Sequence, residues 1–396
     1  MTSAILITIC ALLLLAYVFD ISSALTKIPS VILLLLLGWV AKQVADLFEI
    51  NVPNLNPLLP IFGTIGLILI VLEGSLELEL SKSKVPLIKK SILISFIPML
   101  ILAFLLAWTF QYFGQVSYKT ALINAIPFCV ISSAIAIPSV RNLSLYNKEF
   151  VTYESSLSDI FGVLFFNFFA LNEFINSQSF WIFGLQLIII IFISFIAVTG
   201  LSFLLSRIKH HITYTPIILL VILIYAISKV YHLPGLIFIL VFGLILGNLD
   251  ELKRFKWIEK FRPEKLDKEV SKFKEITAEA TFLIRALFFL LFGFLMKAKE
   301  ILNTETIPWA IAIVATIIIV RWIILKISKL PVSPLLYIAP RGLITILLFL
   351  AIVPEQGISI VNKSLIIQTI ILSVLVMMFG LMAGNKKETT IEENVE

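Results

Sequence analysis

The chain has 396 residues, of which 60% are hydrophobic and only 14% charged. Soluble domains carry about 25% charged and about 45–50% apolar residues, so lipid must be the solvent for much of this surface, and a single water-facing core is excluded. The formal net charge of +6 would raise nucleic acid as a partner of a soluble protein; here it follows from where membrane loops place basic residues, and no nucleic-acid partner is expected.

Stretches of roughly 17–25 mainly apolar residues are long enough to cross a bilayer. Thirteen are predicted, near 3–19, 29–47, 57–76, 90–113, 119–140, 150–174, 179–206, 212–231, 233–249, 277–297, 306–327, 333–353 and 361–383. The first starts without a preceding basic region, so it is expected to stay uncleaved although Ser22, Ser23 and Ala24 imitate a processing site. Cys10 and Cys129 sit in apolar runs without metal-ligand spacing and are read as packing residues. Glu73 in the third span, followed by Glu77 and Glu79, is either a cavity residue or part of an interfacial acidic cluster. The fifth span contains Pro127, Ser132, Ser133 and Pro138; the sixth contains Glu154, Ser155, Ser158 and Asp159. His210, His211 and His232 fall in short loops and are read as ordinary loop residues.

Residues 250–275 form the one long polar insertion. Leu252, Phe255, Ile258 and Phe261 recur there at helical spacing, which predicts an amphipathic helix on the cytoplasmic surface, or else a solvated linker. Arg285 lies about a third of the way into the tenth span, where it either pairs or snorkels. Arg321 is mid-span in the eleventh. The twelfth carries Pro331, Pro334, Pro340, Arg341 and Gly342. The tail after Gly384 is short and polar, and no Walker-type glycine-rich loop occurs, so ATP-driven transport is not expected.

An odd number of spans puts the termini on opposite sides. With the C-terminus in the cytoplasm, 22 of the 31 Lys and Arg residues fall inside, six outside and three within the membrane. This bias predicts a multi-pass protein of the cell (inner) membrane, N-terminus outside and C-terminus inside.

The residues that do not belong in lipid are the most informative. An ionised side chain at the bilayer centre costs about 2.5–3.5 kcal/mol on insertion scales and usually faces a functional cavity. Helical spacing puts Ser155, Ser158, Asp159 and Gly162 on one stripe, with Glu154 stacked a turn before Ser158. Hydroxyls beside a carboxylate suit a partly dehydrated hard cation, which needs several oxygen ligands. The plainer alternative is that Asp159 ties the fold by pairing with a basic residue. Arg321 is the candidate partner of Glu154, which would leave Asp159 as the exchangeable carboxylate. Prolines remove backbone donors, so unwound stretches are expected in the fifth and twelfth spans. Counted as two groups of six around the seventh, both broken spans are fifth in their group, which predicts an inverted repeat. Arg341 is placed to offset the carbonyls exposed at the second break.

These residues resemble the monovalent cation–proton antiporter superfamily, of the sodium/hydrogen exchanger type. Glu154-Ser155-Ser156-Leu157-Ser158-Asp159 is similar to its Glu-Ser-Leu-X-Asn-Asp stretch, Leu72-Glu73-Gly74-Ser75 to an acidic motif of its third helix, and Arg341-Gly342-Leu343 to its Arg-Gly pair. Arg321 occupies the helix in which the family buries an arginine. The resemblance covers the third to the twelfth span. It implies an all-α membrane fold whose fifth and twelfth helices are broken and crossed. It also implies an ion-translocating core (about 90–174 and 306–383), a dimerisation scaffold (about 1–76 and 179–297) and a homodimer. The expected ion-binding and proton-exchanging residues are Asp159, the cation ligand, with Ser158, Ser155, Ser132 and Ser133. Glu154 and Arg321 form the structural ion pair, with Arg341 and Glu73 in support.

Two departures stand out: Ser158 replaces the family's Asn, and Ser132-Ser133 replaces its Thr-Asp, closer to the potassium-efflux branch. The function expected is exchange of a monovalent cation, Na+ with Li+ or K+ as alternatives, for H+, without a cofactor. A potassium-efflux-type channel or transporter, a small organic-anion carrier and a membrane receptor are the competing readings. No enzyme is expected: an intramembrane aspartyl protease needs two cooperating aspartates, and only Asp159 lies deep in a span.

Overall fold

A computed structural model describes residues 2–26, 28–50, 52–172, 174–207, 214–231, 233–248 and 263–392. Among these residues the regular structure is entirely helical, as the hydrocarbon demands: each peptide group must find its hydrogen bond within its own segment. The helices are α1 (Thr2–Thr26), α2 (Ser30–Leu47), α3 (Leu58–Glu77), α4 (Val85–Gly114), α5 (Tyr118–Ala125), α6 (Ser133–Ser139) and α7 (Leu145–Leu171). They continue with α8 (Ser177–Arg207), α9 (Tyr214–Val230), α10 (Gly235–Gly247), α11 (Pro263–Phe294), α12 (Ile307–Ile327), α13 (Leu343–Ala351) and α14 (Lys363–Glu392), with one further helical turn at Ala298–Ile301. Every predicted segment holds helix. Nine described stretches are long and apolar enough to cross a membrane, and three shorter apolar helices stand beside them.

Two spans are interrupted. Ser117 caps α5 by accepting a hydrogen bond from Thr120 N at 3.1 Å. The helix then tightens into a 3-10 turn at Ile126–Phe128 around Pro127 and unwinds before α6, which is only seven residues long. The twelfth segment is helical only over α13, because Pro331, Pro334 and Pro340 deny the preceding stretch its ladder of donors. The two unwound stretches cross: Ser132 N donates to the Pro340 carbonyl at 2.9 Å.

One boundary differs from expectation. Residues 263–275 do not form a separate surface helix but run unbroken into the membrane helix as α11. No proline or glycine lies between Pro263 and Gly293 to stop the helix at the surface. The rest of the predicted amphipathic segment, with Leu252, Phe255, Ile258 and Phe261, lies outside the described residues, as do Lys27, His210, His211 and His232.

The chain divides into two compact units, one of residues 1–63, 91–162 and 285–396, the other of 64–90 and 163–284. The first contains both broken spans. In the second, Asn248 at the end of α10 ties down the end of α3, donating to Leu78 O at 2.7 Å and accepting from Leu80 N at 2.6 Å. Thr281 of α11 reaches Leu69 O of the same helix at 3.3 Å.

Candidate functional site

Unwinding the fifth span leaves three consecutive backbone amides without helical acceptors, and each is met by a different group. Ile131 N donates to Ser158 Oγ at 2.9 Å, Ser132 N to Pro340 O at 2.9 Å, and Ser133 N to Asp159 Oδ2 at 3.4 Å. The Ser133 hydroxyl donates to the same carboxylate oxygen. The break is therefore held open by α7 on one side and by the second break on the other.

The stripe on α7 explains why that helix can approach so closely. Ser158 and Asp159 supply the two acceptors, and one turn later Gly162 lets Val130 press against the backbone; a Cβ there would overlap the Val130 side chain. Gly342 has the same role at the second break, where a Cβ would lie 2.7 Å from Ser132 Oγ and 2.6 Å from Ile135 Cδ1. A side chain at this position would have to displace Ser132 and Ile135.

Asp159 is 1% exposed. Its Oδ2 is held by Ser133, but its Oδ1 is buried and meets no hydrogen-bond partner among the described residues. Neither does it form an ion pair among them. The Ser132 hydroxyl beside the crossing is likewise buried and unmet. A buried carboxylate oxygen and a buried hydroxyl are rarely left so in folded proteins; the carboxylate oxygen is an acceptor that a cation or a proton would satisfy, and the hydroxyl oxygen one that a cation would. Ser155 is buried on the same stripe, and its hydroxyl hydrogen goes to its own helix at Val151 O, 2.7 Å away.

Glu154, also 1% exposed, has the opposite environment. Arg321 from α12 grips it with both ends of the guanidinium, Nη1 to Oε1 at 2.6 Å and Nη2 to Oε2 at 2.9 Å. The remaining Arg321 donor, Nε, takes Leu335 O at 2.7 Å in the unwound part of the twelfth segment. Such two-toothed pairing fixes geometry as well as charge. Arg341, 1% exposed, bridges the breaks: Nε donates to Phe128 O at 2.7 Å and Nη1 to Ala339 O at 2.8 Å. Its backbone N donates to Ser373 Oγ of α14 at 2.9 Å. Glu73 sits part-buried on α3, in the other unit.

The structure also assembles polar groups that pattern reading does not single out. Asn124 of α5 donates to Gln356 O at 2.6 Å. Gln368 of α14 donates to Ile301 O at 3.1 Å and Asn303 O at 2.9 Å. Arg285 is paired rather than snorkelling: its Nη2 lies 3.5 Å from Asp20 Oδ1. The available signal for Asp20 was its standing as the only charged residue in the 25 of α1.

A family model described as sodium/hydrogen exchanger, transmembrane, matches residues 9–384. Among solved structures, the chain is similar to the sodium proton antiporter MjNhaP1 from Methanocaldococcus jannaschii at pH 8, with 18% identity, 96% of each chain covered and a TM-score of 0.66. A second structure of that antiporter, from an electron-microscopy map, gives 19% identity, 97% of this chain and 95% of that chain covered, and a TM-score of 0.68. At these identities the likeness carries the fold alone. No curated protein matches the chain.

Proposed function

Because the chain belongs to the sodium/hydrogen exchanger family, we propose that it exchanges Na+ for H+ by competition at one carboxylate, Asp159. Membership makes it a membrane transporter rather than an enzyme. The observation that carries the finer reading is the unmet Oδ1 of Asp159, buried beside the crossing of two unwound helices.

An ionised Asp159 with nothing bound would be a bare charge at membrane depth, the most costly state available to the site. Either a cation or a proton removes that cost, and one carboxylate oxygen cannot serve both at once. The empty site is therefore unfavourable to carry across, whereas either neutralised form can move. Na+ is a hard cation that prefers several oxygens. Asp159 Oδ1 and the Ser132 hydroxyl are the open acceptors, Ser133 steadies Oδ2, and Ser158 holds the backbone that bears both serines. Glu154 and Arg321 neutralise each other and keep α7 and α12 in register. With one exchanging carboxylate, one cation leaves for each proton that enters.

Movement of the core helices (about 90–174 and 306–383) against the scaffold (about 1–76 and 179–297) would turn Asp159 from one face to the other. On this reading the protein works as a homodimer in the cell (inner) membrane with its N-terminus outside; the excess of basic residues in alternate loops supports the orientation. The Ser132-Ser133 pair, which resembles the potassium-efflux branch, makes K+ the alternative cargo. Fluorescence-monitored proton flux in proteoliposomes, challenged in turn with Na+, Li+ and K+, separates these readings. Na+ and Li+ are expected to dissipate a preset pH gradient. A response to K+ alone would change the cargo, and cation current without proton movement would overturn antiport in favour of a channel.

A further inference from the structure

Asp20 has one carboxylate shared between two sets of partners. Its Oδ1 accepts from Ser30 Oγ of α2 at 3.2 Å and lies 3.5 Å from Arg285 Nη2 of α11. Its Oδ2 lies 3.5 Å from Arg141 Nη1, two residues past the end of α6. Beside this cluster a cavity of about 50 Å³, room for a few waters, is lined by Ser30 and by Ala134, Ile135, Pro138, Ser139 and Arg141. Along this part of the chain the lining starts at Ala134, one residue beyond Ser133, which holds Asp159, and runs past Arg141, the arginine that Asp20 reaches, to Leu143.

We propose that the Asp20–Arg141 pair is a breakable latch on the end of α6, closing the cavity that leads along α6 towards Asp159. The proposal rests on the reading above that helices near Asp159 move against α1, α2 and α11. Three features distinguish a latch from a permanent tie. First, both ion pairs of Asp20 are 3.5 Å long and the Arg141 side chain is 51% exposed, whereas the permanent Glu154–Arg321 pair is buried at 2.6 Å. A long pair with one partner half in solvent is weak, enough to bias two states by a few-fold without locking either. Second, when Arg141 leaves, Ser30 and Arg285 still hold the carboxylate, so opening strands no buried charge. Third, α6 is a single short helix joining the two ends, so displacement at Arg141 is transmitted to Ser133.

The test reads the cavity directly. Ser139→Cys, in a chain carrying Cys10→Ser and Cys129→Ala, places one thiol on the cavity wall for alkylation by a polar maleimide in lipid nanodiscs. Asp20→Asn and Arg141→Gln are each expected to raise the labelling rate about three- to five-fold. The double variant should exceed neither, because both remove the same contact, and Asp20→Glu should restore slow labelling. Should Asp20→Asn fail to fold, the half-exposed Arg141→Gln carries the comparison. Unchanged rates, or effects that multiply in the double variant, would overturn the latch. Proton flux measured on the same preparation reports separately: absence of cation-dependent flux in the parent chain would remove the antiport reading while labelling still decides the latch.

Discussion

Glu154 and Asp159 lie five residues apart on α7, equally buried, yet the structure treats them oppositely. Glu154 receives both arms of Arg321, whereas among the described residues Asp159 receives only hydroxyl and amide donors, all on one oxygen. Removing one half of a buried ion pair leaves the other charge stranded and costs about 3–5 kcal/mol. Glu154→Gln or Arg321→Gln is therefore expected to lower the thermal unfolding midpoint in detergent sharply, and the double change to cost less than the sum. Full additivity would show that the two residues do not act as a pair. At Asp159 the expected phenotype is functional. Ser133→Ala removes the hydroxyl that steadies Oδ2, so the apparent KM for the cation should rise several-fold with little change in unfolding midpoint. An equal fall in folded yield and flux would assign Ser133 to structure instead.

At the scale of elements, the two breaks depend on each other. Ser132 donates to Pro340 O, Arg341 donates to Phe128 O, and Gly342 makes room for Ser132. Gly342→Ala should push Ser132 aside and lower exchange by an order of magnitude or more. Gly184→Ala, on α8 where an added methyl meets nothing within 4 Å, should leave exchange unchanged. Equal rates for both variants would show that the crossing tolerates a side chain. Much of this level was legible beforehand, because bilayer thickness fixes span length and proline removes donors wherever it falls. The spacing of Ser155, Ser158, Asp159 and Gly162 likewise defines one helix face without any structure. What a linear pattern cannot supply is which carbonyl a distant guanidinium will find. Arg341 reaching Phe128, Asn124 reaching Gln356 and Asp20 lying between Arg141 and Arg285 all depend on three-dimensional meetings. The run from 263 to 294 departs from its sequence pattern for a different reason: its polar first half signals the surface, yet nothing in it ends a helix.

For the whole molecule, the described helices leave much apolar surface for lipid; Trp181 of α8 is 74% exposed and Ile188 69%. Within that shell the deep charges are few, and most are matched: Glu154 by Arg321, and Asp20 by Arg285 and Arg141. Asp159 stands apart as a carboxylate with one oxygen unmet, at the place where two unwound helices cross. Cation-driven proton movement in proteoliposomes holding equal amounts of folded parent protein or Asp159→Asn tests this assignment most directly. The parent should collapse a pH gradient on addition of Na+ and the variant should remain at the protein-free baseline. Na+-dependent flux at the parental rate in the variant would contradict the account.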